Sequence, residues 1–239
     1  MRISLVSLLV LTSFASASFG QGLTIEVRTE GVPQSWLNSP YGTSDPETGV
    51  YTYSGSWTNA AGLWQCNWNI TAKADPWVSA NITFLNTTAN PQIYTVTVTQ
   101  PIAPPITPSS LIGGSMGGSV TDANFDGLGG VSTALGTPLY LAFLDAAAVL
   151  PIYPDPTSFA NPFGWPGQTV NIPAVNVGLP GPTIPAGPVF TSISIQHRFQ
   201  LSPGDSMGIT SFFVVVPEPA TLALLASGAI VLLRRRGEK

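Results

Sequence analysis

Cysteine, histidine and charge are scarce in this sequence of 239 residues. Cys66 is the only cysteine, so no disulfide can form within the chain, and we expect it to be a small buried apolar group. His197 is the only histidine, and one histidine with one cysteine excludes a zinc site of the usual ligand type. Charged residues make up only 8% of the chain. This composition favours an exported β-protein over a cytosolic enzyme.

Basic residues are especially few between residues 21 and 216. Arg28, Lys73 and Arg198 stand there against ten acidic residues, so this segment carries a net charge of −7, whereas the whole chain carries −4. A surface of this sign repels phosphate backbones. We therefore exclude nucleic acid as a partner.

The first 20 residues have the pattern of a secretory signal peptide. Met1 and Arg2 supply a positive start, residues 3–14 are apolar, and small residues follow. Signal peptidase is predicted to cut after Ala17 or after Gly20, and the second position is preferred. The pattern predicts export.

The C-terminal end combines a Pro-Glu-Pro triplet, an apolar run and a basic stop. Pro217, Glu218 and Pro219 precede the uncharged segment 220–233, and three arginines follow, namely Arg234, Arg235 and Arg236. As a helix the apolar segment extends roughly 21 Å, which is short of a hydrocarbon core of ~30 Å. The arginines place this end in the cytoplasm and the preceding chain outside. An ordinary membrane anchor is the alternative, but it leaves the rigid acidic triplet unexplained.

This three-part tail, from Val216 through the triplet and the apolar run to the arginines, resembles the PEP-CTERM sorting signal of Gram-negative bacteria. The resemblance covers roughly a tenth of the chain. It implies that an exosortase, a membrane-embedded cysteine transpeptidase, removes the tail near the triplet, and that the C-terminal helix holds the precursor in the inner membrane only transiently. The mature protein is then expected at the cell surface or in an exopolysaccharide matrix. Proteins that share a sorting signal need not share an activity, so the resemblance predicts no activity for the rest of the chain.

Periodicity predicts an all-β fold for the segment between the two targeting signals. Apolar and polar residues alternate at 23–28, 63–73, 78–85, 93–99, 191–201 and 209–216. The turn-rich link 86–91 predicts a hairpin, and 139–150 is the one stretch with a helical period. We expect a single β-sandwich, of which a jelly roll is one form, over 21–216. A signal helix is expected in 1–20, and the C-terminal segment 217–239 is expected to contain an apolar helix at 220–233.

Two regions interrupt the alternating pattern. Residues 111–136 are rich in glycine, and 151–188 contain ten prolines. We expect both to be loops, the second one extended along the domain. A linker between two β-units, 21–100 and 111–216, is the alternative. One domain is preferred, because neither half alone supplies many strands.

One short pattern is typical of serine hydrolases. Gly113, Ser115 and Gly117 match the G-x-S-x-G nucleophile elbow, and His197 follows later in the chain. The elbow requires a strand before it and a helix after it, and neither is evident here. We expect that Ser115 and His197 do not meet and that the protein is not an enzyme.

A second pattern resembles part of a calcium loop. Asp122, Asn124 and Asp126 alternate before Gly127, as in the first half of an EF-hand loop, but position twelve is Thr133 and lacks the usual glutamate. An Asx-rich turn without metal is the simpler interpretation. Calcium, if bound, would be structural, and no other cofactor is expected.

Six tryptophans raise the alternative of carbohydrate binding. Trp64 and Trp68 belong to the core by alternation, whereas Trp36, Trp57 and Trp165 lie near Gly, Pro, Asn or Ser and could face a sugar. The sequence therefore predicts an exported, non-enzymatic β-sandwich of the cell surface or extracellular matrix. An exopolysaccharide-binding module is the second hypothesis, and a serine hydrolase is the third.

Overall fold

The computed structural model describes residues 22–32, 35–73 and 76–218. These residues form sixteen β-strands and no helix, which confirms the predicted all-β class. The predicted signal peptide, the apolar helix and the basic stop lie outside the described residues. Among the residues that are described, we find no helix long and apolar enough to span a bilayer.

The strands follow one another along the chain with short connections. They are β1 (Thr24–Thr29), β2 (Ser35–Asn38), β3 (Thr43–Ser44), β4 (Val50–Thr58), β5 (Trp64–Lys73), β6 (Trp77–Asn86), β7 (Gln92–Pro101), β8 (Ser110–Thr121), β9 (Gly130–Thr133), β10 (Tyr140–Leu144), β11 (Ala147–Ile152), β12 (Ser158–Ala160), β13 (Thr169–Val177), β14 (Ile184–Ala186), β15 (Ser192–Leu201) and β16 (Ser206–Pro217). The two longest, β8 and β16, have 12 residues each and lie side by side.

Two antiparallel sheets pack face to face as a sandwich, as predicted. Sheet A has the order β11-β10-β15-β7-β1-β2, with β9 also beside β15 and β12 beside β9. Sheet B has the order β13-β8-β16-β6-β5-β4-β3, with β14 also beside β8. Each sheet takes strands from both the first and the second half of the chain. One sandwich therefore spans both of the candidate β-units.

Strand β5 shows how side-chain alternation builds the core. Trp64, Cys66, Trp68, Ile70 and Ala72 are buried, and the polar residues between them point outward. Burying an aromatic or aliphatic side chain of this size stabilises the fold by about 1.5–3 kcal/mol. Burial also raises the pKa of the Cys66 thiol to about 12, so this group stays protonated and unreactive at neutral pH.

Aromatic rings join the two sheets at the centre of the core. Phe84 of sheet B lies 4.6 Å from Tyr94 and 5.6 Å from Phe199 of sheet A, measured between ring centroids. Trp64 of sheet B also stacks on Phe84, with ring centroids 5.7 Å apart. Such contacts add about 0.5–1.5 kcal/mol each beyond the area that they bury.

Residues 86–91 do not form the predicted hairpin, because β6 belongs to sheet B and β7 to sheet A. Asn86 is fully buried at this crossing, and its Nδ2 donates to the carbonyls of Leu201 at 3.1 Å and Ser202 at 3.0 Å. Its Oδ1 accepts a hydrogen bond from the Tyr94 hydroxyl at 2.8 Å. The connection from β15 to β16 also crosses between the sheets. The side chain of Asn86 therefore stabilises both connections between the sheets, β6–β7 and β15–β16.

The glycine-rich stretch is not a loop over its first half, where it forms β8 inside sheet B. A Cβ at Gly118 would lie 2.1 Å from the carbonyl oxygen of Gly208 on β16. A Cβ at Gly114 would lie 2.8 Å from the Tyr140 hydroxyl of sheet A. Glycine is therefore required here by close approach within the sandwich, a use that sequence alone does not distinguish from a loop.

The proline-rich segment is not a continuous loop either, since it contains β12, β13 and β14. Among the described strands, β13 pairs only with β8, so it lies at the edge of sheet B. Its register shifts between Ile172 and Val175, where Pro173 falls. Proline is tolerated at sheet edges and bulges because no ladder N–H is needed there. The stretch 139–150 forms the hairpin of β10 and β11 rather than a helix.

Candidate functional site

An exposed apolar patch lies on two neighbouring connections at one end of the sandwich. Phe125 and Leu128 belong to the β8–β9 connection and are 68% and 71% exposed. Phe163 and Trp165 belong to the β12–β13 connection and are 68% and 62% exposed, with ring centroids 5.3 Å apart. We call these four residues the aromatic loop pair. A cluster of exposed aromatic side chains is typical of a contact surface.

Asn161 holds the two connections against each other. Its Nδ2 donates to the carbonyl oxygens of Gly127 at 3.2 Å and Trp165 at 2.8 Å, and its Oδ1 accepts from the N–H of Phe163 at 3.2 Å. The backbones approach so closely that a Cβ at Gly127 would lie 2.4 Å from the carbonyl oxygen of Gly164. These bonds fix the backbone that carries the exposed rings.

Asp122 bonds to the backbone of the same two connections. It is 1% exposed, and its carboxylate accepts from the N–H groups of Gly127 and Gly167, both at 2.9 Å, and of Asp126 at 3.2 Å. Burial alone would raise the pKa of Asp122, but these N–H donors outweigh it and hold the pKa below its usual value. The carboxylate stays ionised and anchors the base of the aromatic loop pair.

The structure brings the three predicted calcium ligands into one turn. Asn124 Nδ2 donates to Asp126 Oδ2 and to the Pro203 carbonyl, both at 2.9 Å, and Asp126 Oδ1 accepts from the N–H of Leu128 at 2.7 Å. Together with the bonds to Asp122, this is the network of an Asx-rich turn. In the described part of the chain, no group of three or more His, Cys, Asp or Glu residues is placed to hold a metal ion. Calcium binding here stays a prediction.

The three tryptophans proposed to face a sugar have different surroundings. Trp36 and Trp57 are half-buried and set their edges against the buried Trp64, with centroids 5.6 and 5.2 Å away. Trp165 alone is largely exposed. Sequence reasoning missed Phe163, although it sits two residues before Trp165 among Asn, Pro and Gly, a context that favours exposure.

The outer face of sheet A forms a groove of about 730 Å³. Across β1, β7 and β15, Thr95 lies between Arg28 and Arg198, so two of the three basic residues in 22–218 flank this groove. Arg28 Nη2 lies 2.8 Å from Glu26 Oε1, and Arg198 Nη2 lies 3.3 Å from Glu30 Oε2. Exposed ion pairs of this kind are weak and exchange readily with other partners.

Two residues along β7 from Thr95, the strand pairing sets Thr97 between Glu26 and Gln196, so the centre of the groove is uncharged there. Gln196 Nε2 lies 3.3 Å from Thr97 Oγ1 on the neighbouring strand. The polar groove, as we call it, is defined by Glu26, Arg28, Glu30, Thr97, Gln196 and Arg198. It offers hydrogen-bond donors and acceptors with balanced charge. A ligand rich in hydroxyl groups matches such a lining.

Ser115 and His197 are not brought together. Ser115 lies on the outer face of β8, where it pairs in register with Phe212. His197 is fully buried between the sheets, and its Nε2 lies 3.0 Å from Ser211 Oγ. Burial lowers the pKa of His197 to about 4, although the Leu139 carbonyl opposes this shift. Sheet B therefore separates the two residues of the candidate hydrolase pair, as expected from the sequence.

The last described residues belong both to the fold and to a recognisable segment. Strand β16 ends at Pro217, and the N–H of Glu218 still reaches the Ser109 carbonyl at 3.4 Å. Residues 215–236 match the family model described as the PEP-CTERM protein-sorting motif. The chain carries a PEP-CTERM sorting motif. The predicted resemblance to this sorting signal is thereby confirmed, and Pro217, Glu218 and Pro219 lie inside the match. A comparison with curated proteins finds no match.

The PEP-CTERM motif implies export and processing at the membrane by an exosortase-type system. It covers residues 215–236 and so leaves the sandwich itself outside the match. Any activity must therefore be argued from the surfaces of the sandwich, of which the aromatic loop pair and the polar groove are the most developed.

Proposed function

We propose that this protein is a non-enzymatic, polysaccharide-binding β-sandwich that the sorting system delivers to the cell surface or extracellular matrix. The observation that carries the proposal is the aromatic loop pair, in which Phe163 and Trp165 expose neighbouring rings on a fixed backbone. Sugar rings present apolar C–H faces that pack on aromatic rings, while their hydroxyl groups stay hydrated. An exposed aromatic platform suits that combination.

The polar groove supports the same proposal. Strand β15 carries Arg198 in the groove and ends at Leu201. The turn that follows accepts a hydrogen bond from Asn124 at the Pro203 carbonyl and so contacts the β8–β9 connection, which carries Phe125 and Leu128. Both surfaces thus lie toward the same end of sheet A. A chain-like ligand could use aromatic stacking at one point and hydrogen bonds at another.

The first prediction concerns Trp165 and Phe163. Native affinity electrophoresis of the exported domain through gels with soluble xylan, dextran or exopolysaccharide from a biofilm-forming host should slow its migration in at least one gel. The double variant W165A and F163A should lose at least about tenfold in affinity, or about 1.4 kcal/mol. Tyr41, which is fully exposed on the β2–β3 connection, supplies the control, and Y41A should migrate like the wild type.

Two results would count against this proposal. Unchanged retardation in the double variant would remove the aromatic loop pair as the binding surface. Esterase turnover that disappears in S115A would instead favour the hydrolase hypothesis and contradict the non-enzymatic function.

A further inference from the structure

The outer face of sheet B carries an open polar cleft that runs across its strands. Two adjoining depressions, of about 430 and 260 Å³, share Gly118 and Thr210 in their lining. Together they cross five strands from β5 to β13, so the cleft is roughly 19 Å long at ~4.8 Å between neighbouring strands. The sheet B cleft, as we call it, is defined by Asn67, Asn69, Asn81, Ser119, Asn171 and Thr210.

Neutral amide and hydroxyl groups supply the polarity of this cleft, and none of its described lining residues is charged. Strand pairing sets Asn69 beside Asn81 and Asn81 beside Thr210. In the described part of the chain, a single hydrogen bond joins two lining side chains, from Thr210 Oγ1 to Asn81 Oδ1 at 2.8 Å. Asn67 and Asn69 are exposed. Their amides can therefore donate to and accept from a ligand.

Gly208 keeps the floor of the cleft open. It lies on β16 between Thr83 of β6 and Ser119 of β8. Among the described atoms, only the Ser119 hydroxyl oxygen lies within 4 Å of a Cβ at Gly208, at an ordinary contact distance of 3.6 Å. Packing therefore does not require this glycine, in contrast to Gly118. Glycine weakens the interior of a strand, and it often marks a place where a ligand approaches the backbone closely.

An aromatic pair borders the same cleft. Phe212 pairs in register with Ser115, which lines the cleft, and its ring centroid lies 6.0 Å from that of Trp77 on β6. Both rings are half-buried. They offer an apolar surface for the C–H face of a sugar beside groups that bind its hydroxyls.

We propose that the sheet B cleft binds an extended segment of an uncharged polysaccharide. Amides and hydroxyl groups both donate and accept hydrogen bonds, so they match a ligand that does the same. The lining holds no counter-charge, and acidic residues outnumber basic ones in 21–216, which disfavours an anionic polymer. A sugar residue of an extended chain advances by about one strand spacing, so each strand beneath the cleft meets one residue of the polymer.

A second copy of this chain suits the cleft less well, because stable homodimer interfaces have a more apolar core. The proposal rests on the proposed polysaccharide binding and assigns it a further surface. The cleft shares no lining residue with the aromatic loop pair, so substitutions can test the two surfaces separately.

Affinity electrophoresis of the full chain tests the proposal with dextran, pullulan, glucomannan and arabinoxylan as uncharged probes and with alginate as a polyanion. A polyoxyethylene detergent keeps the chain in solution without adding a sugar. At least one uncharged polymer should retard the wild type, and alginate should not. G208V should weaken the affinity at least about tenfold, because its side chain fills the cleft without changing the charge.

The matched control is G187V, the same substitution at a glycine outside the cleft. No atom of the described residues lies within 4 Å of a Cβ at Gly187, so this variant should migrate like the wild type in every gel.

The same gels distinguish this proposal from the proposed function. Retardation that persists in G208V but disappears in the double variant W165A and F163A would overturn the sheet B cleft and leave the aromatic loop pair. Retardation lost in G208V alone would support the cleft and count against the aromatic loop pair. Loss in both variants would support both surfaces. Binding of alginate that G208V abolishes, or no retardation by any uncharged polymer, would overturn the proposal.

Thermal unfolding and sedimentation check the variant itself. G208V should melt no lower than the wild type, because a Cβ has room there and replacing glycine reduces the entropy of the unfolded chain. A lower melting temperature would show that packing requires Gly208 and would overturn the argument for an open cleft. Both proteins should have the same oligomeric state. A dimer that G208V dissociates would show that a second copy occupies the cleft, which would also overturn the proposal.

Discussion

His197 meets Ser211 between the two sheets, and the pair illustrates how a single titratable side chain affects this core. The imidazole Nε2 is 3.0 Å from Ser211 Oγ, and the ring packs edge-on against Tyr140, with ring centroids 5.6 Å apart. The folded pKa is about 4, against the ordinary value of 6.5. The unfolded chain therefore binds more protons than the folded chain between these two values.

The prediction for His197 follows from that difference. Stability should be fully retained above pH 6.5 and should fall as the pH drops toward 4, by about 3 kcal/mol in total. Urea unfolding at pH 7, 5.5 and 4.5 measures the effect. Glutamine at this position cannot titrate, so H197Q should lose this part of the pH dependence even if it is less stable at pH 7. Equal slopes in the two proteins would show that other groups cause the acid sensitivity.

Strand β8 is predicted to tolerate no side chain at Gly118. Because a Cβ at Gly118 would lie 2.1 Å from the Gly208 carbonyl oxygen, G118A must push β16 away. We expect a loss of at least about 2 kcal/mol, which in a domain of this size corresponds to a melting temperature lower by at least about 4 °C. The control is G187A, since no atom of the described residues lies within 4 Å of a Cβ there. Calorimetry should find that variant within about 1 °C of the wild type.

The same strand shows where sequence reasoning ends. Strands with clean alternation, such as β5 and β15, were predicted because one face is apolar and the other polar. Strand β8 was missed because its glycines are selected by close packing against Gly208 and Tyr140, which lie far away in sequence. Of the candidate surface, Trp165 was predicted from its polar surroundings. The exposure of Phe125 and the assembly of the polar groove depend on strand order, which local patterns do not encode.

The whole molecule has two different ends. Strand β16 begins beside the turn that contacts the β8–β9 connection, which carries Phe125 and Leu128, and it finishes inside the sorting motif. Its 12 residues span about 40 Å in extended form. The aromatic loop pair therefore lies at the end of the sandwich away from the sorting motif.

Both sheets mix strands from the two halves of the chain, and this predicts one cooperative unit. Sheet A needs β1, β2 and β7 from the first half and β15 from the second, while sheet B sets β8 and β16 beside β6. Fragments separated in the β7–β8 connection would each expose the central edge of both sheets. We expect collapsed amide dispersion in NMR spectra of either fragment alone and recovery when the two are mixed.

The control for separating the chain into two fragments is an intact chain with ten flexible residues inserted into the β7–β8 connection. The insertion is placed between Pro104 and Pro105, which are exposed, so that the buried Ile102 and Ile106 keep their places in the core. Lengthening such an exposed part of a connection costs little closure entropy, about 0.6 kcal/mol per doubling of its length. The insertion variant should therefore keep a single calorimetric transition whose van't Hoff and calorimetric enthalpies agree. A dispersed spectrum and cooperative melting of either isolated fragment would instead favour the hypothesis of two separately folding β-units. Loss of folding in the insertion variant would show that the connection itself, rather than the shared sheets, holds the halves together.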